Sequence, residues 1–100
     1  IFLKYPELGR CKTRLAASIG NEKTLKVYIE LLNHTNLITK NLNFSKFLYY
    51  DKVSENKLDW KEGNYTHAYQ TESDLGGRMA QAFEDTFAKG FERVVIIGSD

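Results

Sequence analysis

Lys4, Pro6, Gly9, Arg10, Lys12, Thr13 and Arg14 crowd basic and turn-forming residues into "KYPELGRCKTRL", directly behind the apolar start "IFL". Glycine lets backbone N–H groups come close to a bound group, and basic side chains at the start of a helix attract anions. The chemistry on offer is recognition of a phosphate. The pattern is not the Walker loop G-x-x-x-x-G-K-[ST], because Cys11 stands where the second glycine is required. A solvated basic turn that merely starts a helix, with Thr13 as an ordinary first-turn hydroxyl, accounts for the same residues.

Two further segments carry chemical groups. "IIGSD" closes an apolar run with Asp100, and a carboxylate at the end of a strand can hold a hard cation, Mg²⁺ or Mn²⁺, against a diphosphate. Asp is equally a good N-cap for a following helix, and Ser99 shares that ambiguity. "QTESDLGGRM" joins a strand to a helix through Asp74, Gly76 and Gly77. Asp74 suits the cap and Arg78 an exposed surface. Yet each glycine in a first turn costs on the order of 1 kcal/mol relative to Ala, which points to close approach of a ligand or another backbone.

The elements that must position these groups follow from pattern. Residues 1–4 read as the tail of a strand, and Pro6 and Gly9 mark the loop after it. Lys12 to Ile19 reads as a helix ended by Gly20, with Asn21 expected as the next N-cap. In the long helix that follows, Leu25, Tyr28, Ile29 and Leu32, with Leu31 and Ile38 on the neighbouring row, form an apolar stripe to about residue 40. "SKFLYYD", residues 45–51, reads as a strand, "KVSENKLDWKEGN" as a polar excursion pinned by Trp60, and "YTHAYQ", residues 65–70, as a shorter, weaker strand.

From Leu75 the apolar positions Met79, Ala82, Phe83 and Phe87 recur at helical spacing up to Gly90. Val94 to Ile97 are four consecutive β-branched residues, expected as a strand covered on both faces. Strand, helix, strand, helix, strand is an α/β order with a mostly parallel sheet. In such sheets ligands sit at the carboxyl ends of the strands, where the opening loop and "GSD" both fall.

Composition narrows the function classes. At 100 residues, 42% hydrophobic and 13% aromatic, the chain is the size of one small domain with a core. Its net charge of +1 argues against nucleic acid or an anionic membrane as partner. A single cysteine, Cys11, fits a reducing cytoplasmic setting and a packing role, and no run approaches the roughly 20 apolar residues of a membrane span. His34 and His67 have no partner pattern. The apolar start and the stop directly after a strand are those expected of a fragment, residues 1–100 being one partial domain that lacks the beginning of its first strand.

Together "FLKYPELGRCKTRL", "QTESDLGGRMAQAFEDTF" and "GFERVVIIGSD" resemble a bacterial family of small glycosyltransferase-like proteins, often encoded with radical-SAM enzymes, within the nucleotide-diphospho-sugar transferase superfamily. The resemblance implies the nucleotide-binding half of a GT-A fold, Rossmann-like, in three α/β/α layers. Lys4, Pro6, Gly9, Lys12, Thr13, Arg14 and Leu15 match its first motif, implying a loop that wraps the nucleotide and its phosphates. Gln70, Asp74, Leu75, Gly76, Arg78 and Met79 match the second, implying a turn beside the base or ribose; Ser73 departs from the family's glycine there. Asp100 matches the acidic motif and is implied as the metal carboxylate.

The reading that follows is a metal-dependent glycosyltransferase with a nucleotide-diphospho sugar donor, a divalent cation and an acceptor without a signature in this chain, the 100 residues being inactive alone. Its alternatives are a nucleotidyltransferase acting on a phosphorylated small molecule and a non-catalytic interaction module retaining the fold. No catalytic base or nucleophile is identified.

Overall fold

The computed structural model describes residues 1–98. Its elements in chain order are β1 (Phe2–Leu3), α1 (Thr13–Ile19), α2 (Asn21–Thr39), β2 (Lys46–Tyr50), β3 (Tyr65–Tyr69) and α3 (Leu75–Ala88). The strands form one sheet in the order β1-β2-β3, parallel throughout, with Leu3 beside Tyr50 and Tyr50 beside Tyr69. This is the mixed α/β class that the alternating order predicts.

Strand alternation decides what each face receives. Leu3, Leu48 and Tyr50 point to one side, where they form a cluster with Cys11 and with Tyr28 and Leu32 of α2. Phe2 and Tyr49 point to the other, against Ala82 of α3, with Phe47, Ala68, Met79 and Ile96 around them. The sheet is therefore sandwiched between α2 and α3. Trp60 packs edge-on against Tyr65, ring centroids 5.1 Å apart, and fastens the 52–64 excursion to the α2 side as expected.

Four expectations are corrected. The buried stripe of α2 runs through Thr24, Tyr28, Leu32 and Thr39, whereas Ile29, Leu31 and Ile38 face outward. Threonine substitutes for an aliphatic residue at both ends because its hydroxyl donates to the carbonyl one turn back, Thr24 to Gly20 at 2.7 Å and Thr39 to Thr35 at 2.7 Å. Asn21 is the first helical residue and Gly20, at φ +88°, is the N-cap, so one glycine both ends α1 and starts α2. β3 is as long as β2 and pairs with it in full register.

The fourth concerns Val94 to Ile97. Phe2 bridges to Gly98 in parallel sense and donates its N–H to Ile97 at 2.9 Å, so this segment lies along the free edge of β1. Val94 and Ile96 turn inward, but Val95 is 83% exposed and Ile97 is 40% exposed. Among the described residues nothing packs over that outer side, which is why the run is buried on one face and not on two.

Lys46 joins the end of α2 to the start of β2. Its ammonium donates to the carbonyls of Thr39, Lys40 and Leu42 at 3.2, 3.2 and 3.0 Å, occupying helix-end acceptors with a positive charge.

Candidate functional site

The carboxyl ends of β1, β2 and β3 open onto a cleft of about 590 Å³. Lys4, Asp51 and Gln70 follow the three strands directly, and Leu75, Arg78 and Met79 enter from the first turns of α3. An adjoining recess of about 400 Å³ is lined by Lys4, Lys12, Thr13, Arg14 and Leu15. Lys4 borders both, so the opening loop and the α3 turn meet across one residue.

The opening loop is held from below. Cys11 is 2% exposed in the main core and its thiol lies 3.7 Å from the Glu7 carbonyl. The turn from Glu7 to Arg10 closes with a 3.2 Å backbone bond and carries Gly9 at φ +77°, a conformation that glycine adopts without strain. Lys4 is clamped through its backbone: its N–H donates to the Tyr28 hydroxyl at 2.9 Å, and that hydroxyl donates to the Lys4 carbonyl at 2.9 Å. Pro6 is half-buried between these two anchors.

Arg10 and Lys52 both turn to Glu7, each at 3.8 Å, while Lys12 and Arg14 form no ion pair among the described residues. Lys12 is the N-cap of α1, yet it supplies no side-chain cap and holds φ +45°, ψ +57°. A left-handed backbone at a side-chain-bearing residue costs on the order of 1 kcal/mol and recurs at ligand-binding loops. Thr13 and Arg14 are exposed in the first turn that follows.

The second motif is built differently. Gln70 continues β3, its N–H bonded to the Tyr50 carbonyl at 2.8 Å. Its side-chain amide donates to the Tyr49 carbonyl at 2.9 Å and accepts from Arg78 Nη1 at 3.2 Å. Asp74 is the N-cap of α3 and accepts from the Gly77 N–H at 2.7 Å. The paired glycines thereby separate. A Cβ on Gly77 would strike the Ser73 hydroxyl and come within 3.1 Å of the Asp74 carboxylate, so its close approach is to its own capping turn; Gly76 has nothing nearer than 3.8 Å.

Among the sequence candidates, Lys4, Gln70 and Arg78 converge on the large cleft and Lys12, Thr13 and Arg14 on the recess. Asp74 and Gly76 stand at the α3 start without lining either. Asp100 lies outside the described residues. Asp51 is the residue that motif spacing misses: in the sequence it reads as the last letter of a strand, although a polar residue directly after a parallel strand faces the ligand side by topology alone.

The donor set for a cation is correspondingly thin among the described residues. Asp51 is the one carboxylate lining the cleft, and no group of three His, Cys, Asp or Glu side chains gathers anywhere in residues 1–98. Carboxylate oxygen is the right chemistry for Mg²⁺ or Mn²⁺, and Mg²⁺ is commonly held by one or two carboxylates that share it with substrate phosphates.

A separate polar pair sits on the α2 side. The Tyr50 hydroxyl and His67 Nδ1 are 2.8 Å apart with their rings stacked, and the same hydroxyl accepts the Leu58 N–H at 2.8 Å. Burial pushes the Tyr50 hydroxyl pKa up, opposed by that N–H, and burial pushes the His67 pKa down, aided by Lys57.

No protein of curated function matches the chain. The crystal structure of a candidate nucleotide-diphospho-sugar transferase from Desulfovibrio desulfuricans G20 shares the fold with a TM-score of 0.85 and 32% identity, over 99% of this chain and 45% of that one. The chain thus spans less than half the length of that relative. No helix among the described residues is long and apolar enough to cross a membrane. The profile of DUF2064, described as "uncharacterized protein conserved in bacteria", matches residues 34–100, which takes in the α2 end, β2, β3, α3 and the whole second motif, and the chain belongs to that family.

Proposed function

We propose that this chain is the donor-nucleotide half of a metal-dependent glycosyltransferase that uses a nucleotide-diphospho sugar, of the radical-SAM-associated type, working in the reducing cytoplasm. The observation that carries the reading is the cleft itself: three parallel strands end at Lys4, Asp51 and Gln70, and Arg78, Lys12 and Arg14 bring positive charge to the same edge. The likeness to the Desulfovibrio protein supports the sugar-nucleotide class.

In this reading Lys12 and Arg14 neutralise the donor diphosphate, and Lys4 bridges it to the strand ends. As the bond from sugar to diphosphate breaks, charge grows on the leaving oxygens, and cations fixed in advance lower that barrier without reorganising. Asp100 with Asp51 would hold the divalent cation, which when bound adds Lewis-acid neutralisation of the same diphosphate. Gln70, Asp74 and Gly76 shape the wall beside the base and ribose. The acceptor is taken up outside these 100 residues.

Calorimetric titration with UDP, GDP, CDP and dTDP sugars, each with and without Mn²⁺, tests the proposal. Metal-dependent binding of one of them, weakened at least tenfold in both Asp100→Ala and Arg14→Ala, is the expected result. Binding of none overturns it. In the longer protein, release of pyrophosphate in place of a nucleoside diphosphate would transfer the site to nucleotidyl chemistry.

A further inference from the structure

Among the described residues, the 52–64 excursion contains no helix or strand, so side chains of its neighbours hold it. At its far end Trp60 packs on Tyr65 and Glu62 pairs with Lys40 at 3.2 Å. At its near end Lys52 pairs with Glu7 of the opening loop at 3.8 Å, and the Ser54 carbonyl accepts from the Tyr69 hydroxyl at 2.9 Å. Between these ends the Leu58 N–H donates to the Tyr50 hydroxyl at 2.8 Å.

That hydroxyl is shared. Its oxygen also lies 2.8 Å from His67 Nδ1, with the two rings stacked. Tyr50 is 2% exposed, whereas His67 is half-buried and open to solvent protons. With the imidazole neutral and its hydrogen on Nε2, every group is satisfied: Leu58 donates to the phenol oxygen, and the phenol donates to Nδ1. A proton on Nδ1 turns that acceptor into a donor. Two N–H groups then converge on one phenol oxygen, and the phenol hydrogen has no other acceptor among the described residues. A buried donor without a partner is costly, and the half-buried Leu58 is the member of the three that can turn to water. Water entering in its place accepts the phenol hydrogen.

The surroundings do not favour a charged ring. Lys57 acts on His67 from the excursion, Tyr50 stacks on it from β2, and Tyr69 of β3 and Tyr5 of the opening loop lie on the far side of Tyr50. Among the described residues His67 joins no ion pair. Burial, aided by Lys57, lowers the His67 pKa below its ordinary 6.5, so protonation belongs to mildly acidic conditions.

We propose that Tyr50 and His67 form a proton-operated latch on the excursion: with His67 neutral the Tyr50 hydroxyl holds Leu58 against the sheet, and with His67 protonated Leu58 is released, loosening the segment that leads away from Asp51 at the cleft. The sheet itself is untouched, because the Gln70 N–H bonds to the Tyr50 carbonyl and not to its hydroxyl. One residue thus carries a fixed bond and a switchable one.

Amide hydrogen exchange, followed residue by residue by NMR on the whole chain at pH 7.5 and pH 5, tests the latch, with each rate divided by the intrinsic rate at the same pH. Protection of the Leu58 N–H is expected to fall at least about tenfold between the two, with the midpoint at which the His67 ring itself titrates, while that of the Gln70 N–H stays within about twofold. His67→Asn keeps an acceptor near the position of Nδ1 but does not titrate, and is expected to hold Leu58 equally at both pH values. His67→Gln repeats the comparison should that variant not fold. Tyr50→Phe removes the hydroxyl and is expected to leave Leu58 unprotected at both.

Leu58 protection that stays constant while His67 titrates overturns the proposal, as does a pH dependence that survives in His67→Asn. A His67 ring still neutral at pH 5 overturns it too. If Gln70 loses protection together with Leu58, acid opens the sheet itself and there is no latch.

Discussion

The two faces of the sheet are built to different standards. On the α2 side Leu3, Cys11, Tyr28, Leu32, Leu48 and Tyr50 are all at or below 2% exposure, with seven partly buried neighbours around them. On the α3 side, among the described residues, the buried cluster is Phe2, Tyr49 and Ala82, at 5 to 6%, with four such neighbours, and Thr86 is buried beside it at 7%. Buried hydroxyls are satisfied on both sides, Tyr28, Tyr50 and Thr39 on the α2 side and Thr86 within α3, but Arg78 on the α3 side keeps Nε without a hydrogen-bond partner among the described residues. The thick face holds the strands still. The thin face borders the cleft.

The largest effect should separate them directly. Leu32→Ala removes a side chain at 2% exposure and is expected to cost about 3 to 4 kcal/mol, against about 1 to 2 for half-buried Met79→Ala, both read from chemical denaturation. Met79 lines the cleft, so on the proposed donor reading its variant should in turn weaken nucleotide binding. Equal costs would break the comparison. Next comes Gly63, at φ +99°, where a Cβ would meet the Lys40 backbone at 2.9 Å: Gly63→Ala is expected to lose about 2 kcal/mol, because neither the turn nor α2 can yield there.

On the thin face, Asp74→Ala is expected to cost about 1 kcal/mol as the loss of one N-cap, seen as a lower midpoint with unchanged slope in urea. The smallest effect is a pH dependence on the thick face. Burial holds the His67 pKa below its ordinary 6.5, so the fold favours the neutral ring, whose Nδ1 shares a 2.8 Å hydrogen bond with the Tyr50 hydroxyl. That contribution is complete above pH 6.5 and is lost as the pH falls through 6.5 toward the lower folded value, where the unfolded chain binds the extra proton. The difference in stability between wild type and His67→Phe should therefore shrink from pH 7.5 to 5.5; a constant difference would show that His67 does not titrate differently in the fold.

Much of this division was legible in the sequence, and for physical reasons. Period-two strands and period-3.6 helices leave a direct trace, so β2, α2 and α3 were found close to their true bounds, and Trp60 was placed correctly as an anchor. What escaped depended on partners distant in the chain. Thr24 and Thr39 read as polar until their hydroxyls are seen bonded to their own helix. Val95 and Ile97 read as buried because composition records what a strand can face and not what is there to face it. In the site, motif spacing reached Lys4, Gln70 and Arg78, but Asp51 belongs to no motif; only the sheet order brings the end of β2 between those of β1 and β3.

The left-handed backbone of Lys12 sets two kinds of selection against each other. Glycine there would relieve the strain and raise the melting temperature, while removing a charge from the rim of the recess. A screen that rewards heat resistance alone should drift toward Gly at this position, and a screen that rewards ligand capture should keep Lys. On the donor-site reading, Lys12 is thus a place where robustness and use are inherited as rivals.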